Sequence, residues 1–93
     1  MIKTIKHKGL KKFFLKDDST GLNHDQLQKI RRILTALNAA NNLEAIKLHK
    51  GYKLHELKGD LQGYWSVTVT ANYRIVFKYI DGDIYDVDYI DYH

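Results

Sequence analysis

His55, Lys58, Arg74 and the terminal run Asp91-Tyr92-His93 are the side chains of this chain best suited to phosphoryl-transfer chemistry. Unperturbed imidazole titrates near ~6.5, so two histidines can exchange protons as base and acid close to neutral pH. Lys58 and Arg74 can hold a phosphate and offset the charge that builds on it during transfer. RNA needs no cofactor for its own cleavage, because its 2′-hydroxyl, once deprotonated, attacks the adjacent phosphorus. A base, an acid and a cation therefore suffice. Tyr92 can stack on a base or hydrogen-bond the phosphate.

Each of these residues also has an ordinary reading. A histidine on a strand is often a plain surface residue, Arg74 can pair with an aspartate across a sheet, and a terminal Asp-Tyr-His can be a frayed end. From the residues alone, a basic α+β domain without catalysis stays open. The five histidines, His7, His24, His49, His55 and His93, show no helical i,i+4 pair and there is no cysteine, so no metal site is expected. No phosphate loop, dinucleotide fingerprint or G-x-S-x-G motif occurs.

The elements that must position these groups follow from periodicity. Ile2-Lys3-Thr4-Ile5 is expected as a first strand, and Leu10–Lys16 as a short helix with Leu10, Phe13 and Phe14 on one side. Asp17-Asp18-Ser19-Thr20-Gly21 breaks it. Asn23 and Gln26 have the spacing of a capping box, and Leu27, Ile30, Ile33, Leu34 and Leu37 then recur at helical intervals to about Ala40. Leu43–Ile46 is a further turn of helix.

The period then changes to two, the mark of a half-buried antiparallel sheet. The rows are Tyr52/Leu54, Trp65/Val67/Val69, Tyr73/Ile75/Phe77/Tyr79 and Tyr85/Val87/Tyr89. A three-residue loop, Thr70-Ala71-Asn72 with Asn72 left-handed, pairs Trp65 with Phe77 and Val67 with Ile75. A similar loop, Ile80-Asp81-Gly82, pairs Phe77 with Tyr85 and Ile75 with Val87. The core face carries these apolar residues, with Trp65 packed under the sheet. The open face carries Lys53, His55, Thr68, Arg74, Lys78, Asp86 and Asp88, with Arg74 opposite Thr68 and Asp88. Because Arg74 lies off the apolar rows, its truncation is expected to leave the fold intact. The fold class is α+β: an N-terminal strand, two helices, then an antiparallel sheet packed on them, in one domain spanning 1–93.

Composition narrows the partners. The net charge of +4 is unevenly spread. Residues 1–58 hold thirteen Lys/Arg against five Asp/Glu, and residues 59–93 hold two against six. A net of +8 in one part suits a polyanion or a solvated basic face. The absence of cysteine fits a reducing compartment. No apolar run reaches the roughly 18 residues of a membrane span, and no secretory signal is evident. A cytoplasmic protein without a membrane partner is expected.

At this point the chain resembles the HigB toxins of the RelE/ParE superfamily. The resemblance is carried by Tyr52-Lys53-Leu54-His55-Glu56-Leu57-Lys58-Gly59-Asp60, Gly63-Tyr64-Trp65-Ser66-Val67-Thr68-Val69, Asn72-Tyr73-Arg74-Ile75-Val76-Phe77 and the closing Asp91-Tyr92-His93. Met1-Ile2-Lys3 and His7-Lys8-Gly9-Leu10 are similar too, whereas residues 15–48 diverge. The resemblance implies a RelE-like fold and an endoribonuclease that cuts mRNA in the ribosomal A site on the 30S subunit. It implies His55, Asp91, Tyr92 and His93 as the catalytic set, supported by Lys58, Asn72 and Arg74, without a cofactor. It also implies a HigA-type helix-turn-helix antitoxin, with operator DNA bound only through that antitoxin. Glu56 departs from the family, which often has proline there, and places a negative charge next to His55 that can raise its basicity or repel RNA. Two alternatives have different requirements: a ParE-like toxin acting on gyrase would not need the His55/His93 pair, and a binding domain for RNA or protein would need no catalysis.

Overall fold

Apolar spacing at helical and strand periods produces the two layers seen in the structure, a computed structural model that describes residues 1–91. The first helix, α1 (Lys8–Lys16), starts at Lys8 rather than Leu10 because His7 caps it: His7 Nδ1 accepts the Leu10 N–H at 3.1 Å. It ends at Asp17, which is left-handed (φ 56°) and returns its N–H to the Phe13 carbonyl. Leu10 and Phe13 are buried.

The long helix, α2 (Leu27–Ala39), follows a 3₁₀ turn at His24–Gln26 and buries Ile30, Ile33, Leu34 and Leu37. The expected capping box does not form. Asn23 Nδ2 donates instead to the Tyr89 hydroxyl at 2.8 Å, and that hydroxyl donates to Gln26 Oε1. A phenol arriving from the last strand has taken both amides away from the helix end. The short helix α3 (Leu43–Lys47) is capped by Asn42, whose Oδ1 accepts the Ala45 N–H at 3.0 Å.

Four antiparallel strands follow in the order β1 (His55–Glu56), β2 (Trp65–Thr68), β3 (Tyr73–Ile80) and β4 (Asp83–Asp91). The expected strand through Tyr52 and Leu54 is reduced to its end. Tyr52 closes a 3₁₀ turn and Lys53 is left-handed (φ 50°), so pairing begins only at His55. The N-terminal segment lies on the outer edge of β4 through parallel bridges Ile2↔Ile84 and Ile5↔Val87. That segment covers an edge that would otherwise present unpaired backbone.

The first hairpin has the expected register, with Trp65 opposite Phe77, Val67 opposite Ile75 and Thr68 opposite Arg74. Asn72 is not left-handed, however. The turn is held by side chains: the Thr70 hydroxyl accepts the Tyr73 N–H, and Arg74 reaches three carbonyls. The second hairpin differs from expectation. Its loop is two residues, Asp81-Gly82, both at positive φ, and Ile80 pairs with Asp83. Lys78 is opposite Tyr85, so Tyr85 leaves the core face and Ile84, fully buried, takes its place. A bulge at Asp86 (φ 54°) then shifts the register, so that Ile75 meets Tyr89 and Arg74 meets Ile90, not Asp88. Thr4 secures this bulge, its hydroxyl accepting the Asp86 N–H at 2.7 Å.

The helices cover the face formed by Val67, Val69, Ile75, Phe77, Ile84 and Val87. Trp65 lies on this helix-facing side, opposite Phe77 and packed against the core as expected, but it is only half-buried at the core's border. Tyr89 fastens the two layers, stacking on Tyr73 at 5.1 Å and touching the edge of His7 at 5.5 Å. Burial holds its phenol above the ordinary value. The neutral phenol is thus the form the fold favours. Its contribution is complete below the unfolded value of about 10 and is lost as pH rises through the higher folded value. Tyr89→Phe should cost about 1–3 kcal/mol at neutral pH, because Gln26 is left buried without its donor. Denaturant titrations between neutral pH and pH ~11 check this: the wild type should lose more stability over that range than the variant. Equal losses in both would show that Tyr89 is not the linked group.

Candidate functional site

Pleating sorts the sheet residues onto two faces, and paired residues share a face. Opposite the helices, one row across the sheet is His55, Ser66, Val76 and Asp88. The neighbouring row is Thr68, Arg74 and Ile90. His55 and Arg74 therefore rise from the same open face, two strands and two residues apart. That places their backbones roughly 12 Å from each other, a span that two long side chains can close around a phosphodiester.

His55 is exposed, and its Nδ1 lies 3.0 Å from the Lys53 carbonyl. A carbonyl only accepts, so Nδ1 is the donor in this contact, and in the neutral ring Nε2 is then the nitrogen left to act as a base. The left-handed turn at Lys53 aims this carbonyl at the ring, a role for backbone that residue types did not reveal.

Arg74 is half-buried, with Nη1 at 2.6, 3.1 and 3.2 Å from the carbonyls of Thr70, Ala71 and Tyr73. Its guanidinium is thus fixed in place at the β2–β3 turn before any anion arrives. This corrects the expectation that truncating Arg74 spares the fold. Arg74→Ala should lower stability by about 1–3 kcal/mol. If Arg74 also stabilises developing charge, the reaction should slow by roughly 10²–10³. Melting curves and single-turnover rates on the same preparations separate the two effects. A rate loss no larger than the loss of folded protein would remove Arg74 from the chemistry.

The other candidates lie around this pair. Asn72 is exposed in the same turn as Arg74. Lys58, also exposed, follows β1 on the side of His55 away from Arg74. Asp91 is exposed at the end of β4, at the same end of the sheet as Arg74, but its pairing with Tyr73 places it on the helix-facing side of the strand, so the described structure does not bring it onto the face of His55 and Arg74. Tyr92 and His93 lie outside the described residues. Glu56 pairs with Trp65 and so leaves the strand on the face opposite His55, which separates its charge from the imidazole. Among the described residues, no group of three or more His, Asp or Glu side chains is placed to hold a metal ion, and no helix is long and apolar enough to cross a membrane.

The open face also has an apolar floor that the sequence reading missed. Leu57 and Val76 are buried outside the main core cluster, and Ser66 is buried beside Val76. The signal was present: Leu57 and Val76 are apolar residues out of phase with the core rows.

Comparison with known proteins agrees with this architecture. A family model described as the RelE-like toxin of the type II toxin–antitoxin system HigB matches residues 3–93. A Proteus vulgaris protein named endoribonuclease HigB is 46% identical over 93 residues, covering 100% of each chain. Among solved structures, a mutant of YafQ from E. coli superposes with a TM-score of 0.62 at 18% identity, covering 98% of this chain and 91% of that one. The YoeB–YefM complex from Staphylococcus aureus gives 0.57 at 22% identity, covering 100% and 95%. These two likenesses concern the fold, which is the α+β arrangement of RelE-type toxins.

Proposed function

The chain belongs to the HigB-like family of toxins of type II toxin–antitoxin systems, and we propose that it is an endoribonuclease that cuts mRNA in the A site of the bacterial ribosome and so arrests translation. The observation that carries this reading is the shared open face. An exposed His55, its Nδ1 engaged by the Lys53 carbonyl, stands with an Arg74 fixed by its own turn. The name of the Proteus vulgaris relative supports the same chemistry.

In the proposed reaction, an imidazole takes the proton of a ribose 2′-hydroxyl. The resulting alkoxide attacks the adjacent phosphorus, the bond to the 5′-oxygen breaks, and a second group protonates that leaving oxygen. His55 and His93 share the base and acid roles, with Asp91 and Tyr92 orienting the site. Lys58 and Arg74 neutralise the phosphate, and Asn72 contacts the neighbouring nucleotide. No cofactor takes part. The ribosome supplies the orientation of the message.

The partner that restrains the toxin is a HigA-type helix-turn-helix antitoxin, which also carries the complex to operator DNA, and both act in the cytoplasm. The 30S subunit and mRNA are the remaining partners. Primer extension on a reporter mRNA after induction, with and without translation, tests the proposal. Cuts confined to the translated message are expected. Equal cutting of naked RNA would overturn ribosome dependence, and no cutting in either case would overturn the ribonuclease.

A further inference from the structure

A second cationic cluster lies on the open face, on the side of His55 opposite to Arg74. Tyr64 is hydrogen-bonded to Leu57 through its carbonyl, two residues before Ser66, and so shares the face of His55. Two ammonium groups converge on its ring: Lys78 Nζ at 5.1 Å and Lys6 Nζ at 5.9 Å from the centroid. Lys78 follows Arg74 and Val76 at strand spacing, so Arg74 and Lys78 bracket the buried Val76 by roughly 7 Å on either side. The two-residue Asp81-Gly82 loop sends Tyr85, opposite Lys78, to this same face. One carboxylate, Asp86, lies 3.7 Å from Lys78. Asp88 stands on the same face in the row of Val76, so the cluster presents two ammonium groups between two carboxylates, and both tyrosines are only half-buried.

We propose that Lys6, Tyr64, Lys78 and Tyr85 form a second RNA subsite, holding a backbone phosphate and its base beyond the scissile position. The assignment rests on the ribonuclease reading for its ligand. Its chemistry is that of single-strand recognition elsewhere: cations for the phosphate, aromatic rings for the base, and no demand on base identity. The arrangement makes the strand run along β3, from Arg74 past His55 to Lys78. It also gives a purpose to Lys6, which the N-terminal segment carries across the edge of β4 to the Tyr64 ring. A purely structural role for the cluster would tie the N-terminal segment to the sheet without touching RNA.

The test is fluorescence anisotropy of a labelled 2′-O-methyl RNA about eight nucleotides long, which spans one such surface and resists cleavage. Wild type, Lys78→Met, Lys6→Met and, as a charge control on the helical layer, Lys16→Met at the end of α1 are titrated at several salt concentrations, with a melting curve for each. Lys78→Met and Lys6→Met should each weaken binding several-fold and lower the salt slope by about 0.7, the value for one phosphate contact on a single strand. Lys16→Met should bind as wild type. Lys6 is exposed, so Lys6→Met remains informative even if Lys78→Met disturbs the fold. Wild-type affinity and slope in Lys6→Met, with Lys78→Met either the same or merely unfolded, would leave the cluster structural and overturn the subsite. No binding by the wild type, while it still cuts translated message, would overturn the subsite alone. Absence of cutting by a wild type that binds RNA would instead overturn the ribonuclease.

Discussion

His55→Ala should abolish mRNA cleavage and growth arrest while leaving the melting temperature close to that of the wild type. The side chain is exposed, and among the described residues its hydrogen-bond partner is the Lys53 carbonyl. Exposed positions without buried contacts usually change stability by no more than about 0.5 kcal/mol. The catalytic loss is of another order, since a positioned acid or base is worth roughly 10²–10⁴ in rate. His55→Asn sharpens the test. Asparagine keeps an N–H that can face Lys53, yet it has no basic nitrogen for the 2′-hydroxyl proton. If His55→Asn retains wild-type cleavage, the imidazole serves only to shape the turn. The pH profile of the single-turnover rate provides a second readout, because a titrating base loses activity as it is protonated on the acid side. A rate independent of pH through that range would exclude His55 as the base.

Much of this arrangement was legible in the residues because period-two alternation fixes faces. Trp65, Val67, Ile75 and Phe77 could be paired from their apolar pattern, and that pairing put Arg74 on the open face, while His55 reached the same face through the alternation of its own strand, which the His55–Ser66 pair shows. The second hairpin was misread because two solutions satisfy the apolar rows. One is a three-residue loop with regular pairing. The other is a two-residue Asp81-Gly82 loop followed by a bulge, and the structure takes the second. The Asp-Gly pair itself favours the two-residue turn, since both positions must adopt positive φ. The bulge was hidden because its stabilising partner, Thr4, lies 82 residues away in sequence. The capping box failed for the same kind of reason. Asn23 and Gln26 had the correct local spacing, but Tyr89 offered both a better partner. Local chemistry states what a segment can do, and the long-range donor decides which option is used. The turn at Lys53 that meets the His55 ring was likewise beyond residue-level reading, because it acts through a carbonyl.

Deleting Tyr92 and His93 should likewise abolish cleavage and toxicity, with little change in melting temperature. Chain ends are ordinarily dispensable unless function ties them down. The fold does not depend on these two residues for its sheet: β4 is paired with β3 as far as Asp91 opposite Tyr73, and its other edge is held by the N-terminal segment. A chain ending at Asp91 therefore keeps the core, the first hairpin and the Arg74 turn. What it loses is the second imidazole of the proposed acid–base pair. His55 alone can take the 2′-hydroxyl proton, but the 5′-oxygen then leaves as an unprotonated alkoxide, and that step becomes limiting. Replacing that oxygen with sulfur separates this loss from a binding defect, because a thiolate leaves without needing an acid. On a message carrying such a bridging phosphorothiolate, the truncated protein should recover much of the wild-type rate, whereas His55→Ala should not if His55 is the base. Recovery by His55→Ala and not by the truncation would reverse the two roles. A truncated protein that remains a full-strength toxin on ordinary mRNA would show that His93 carries no chemistry, and the acid would then have to be sought among Lys58, Asp91 and the ribosome itself.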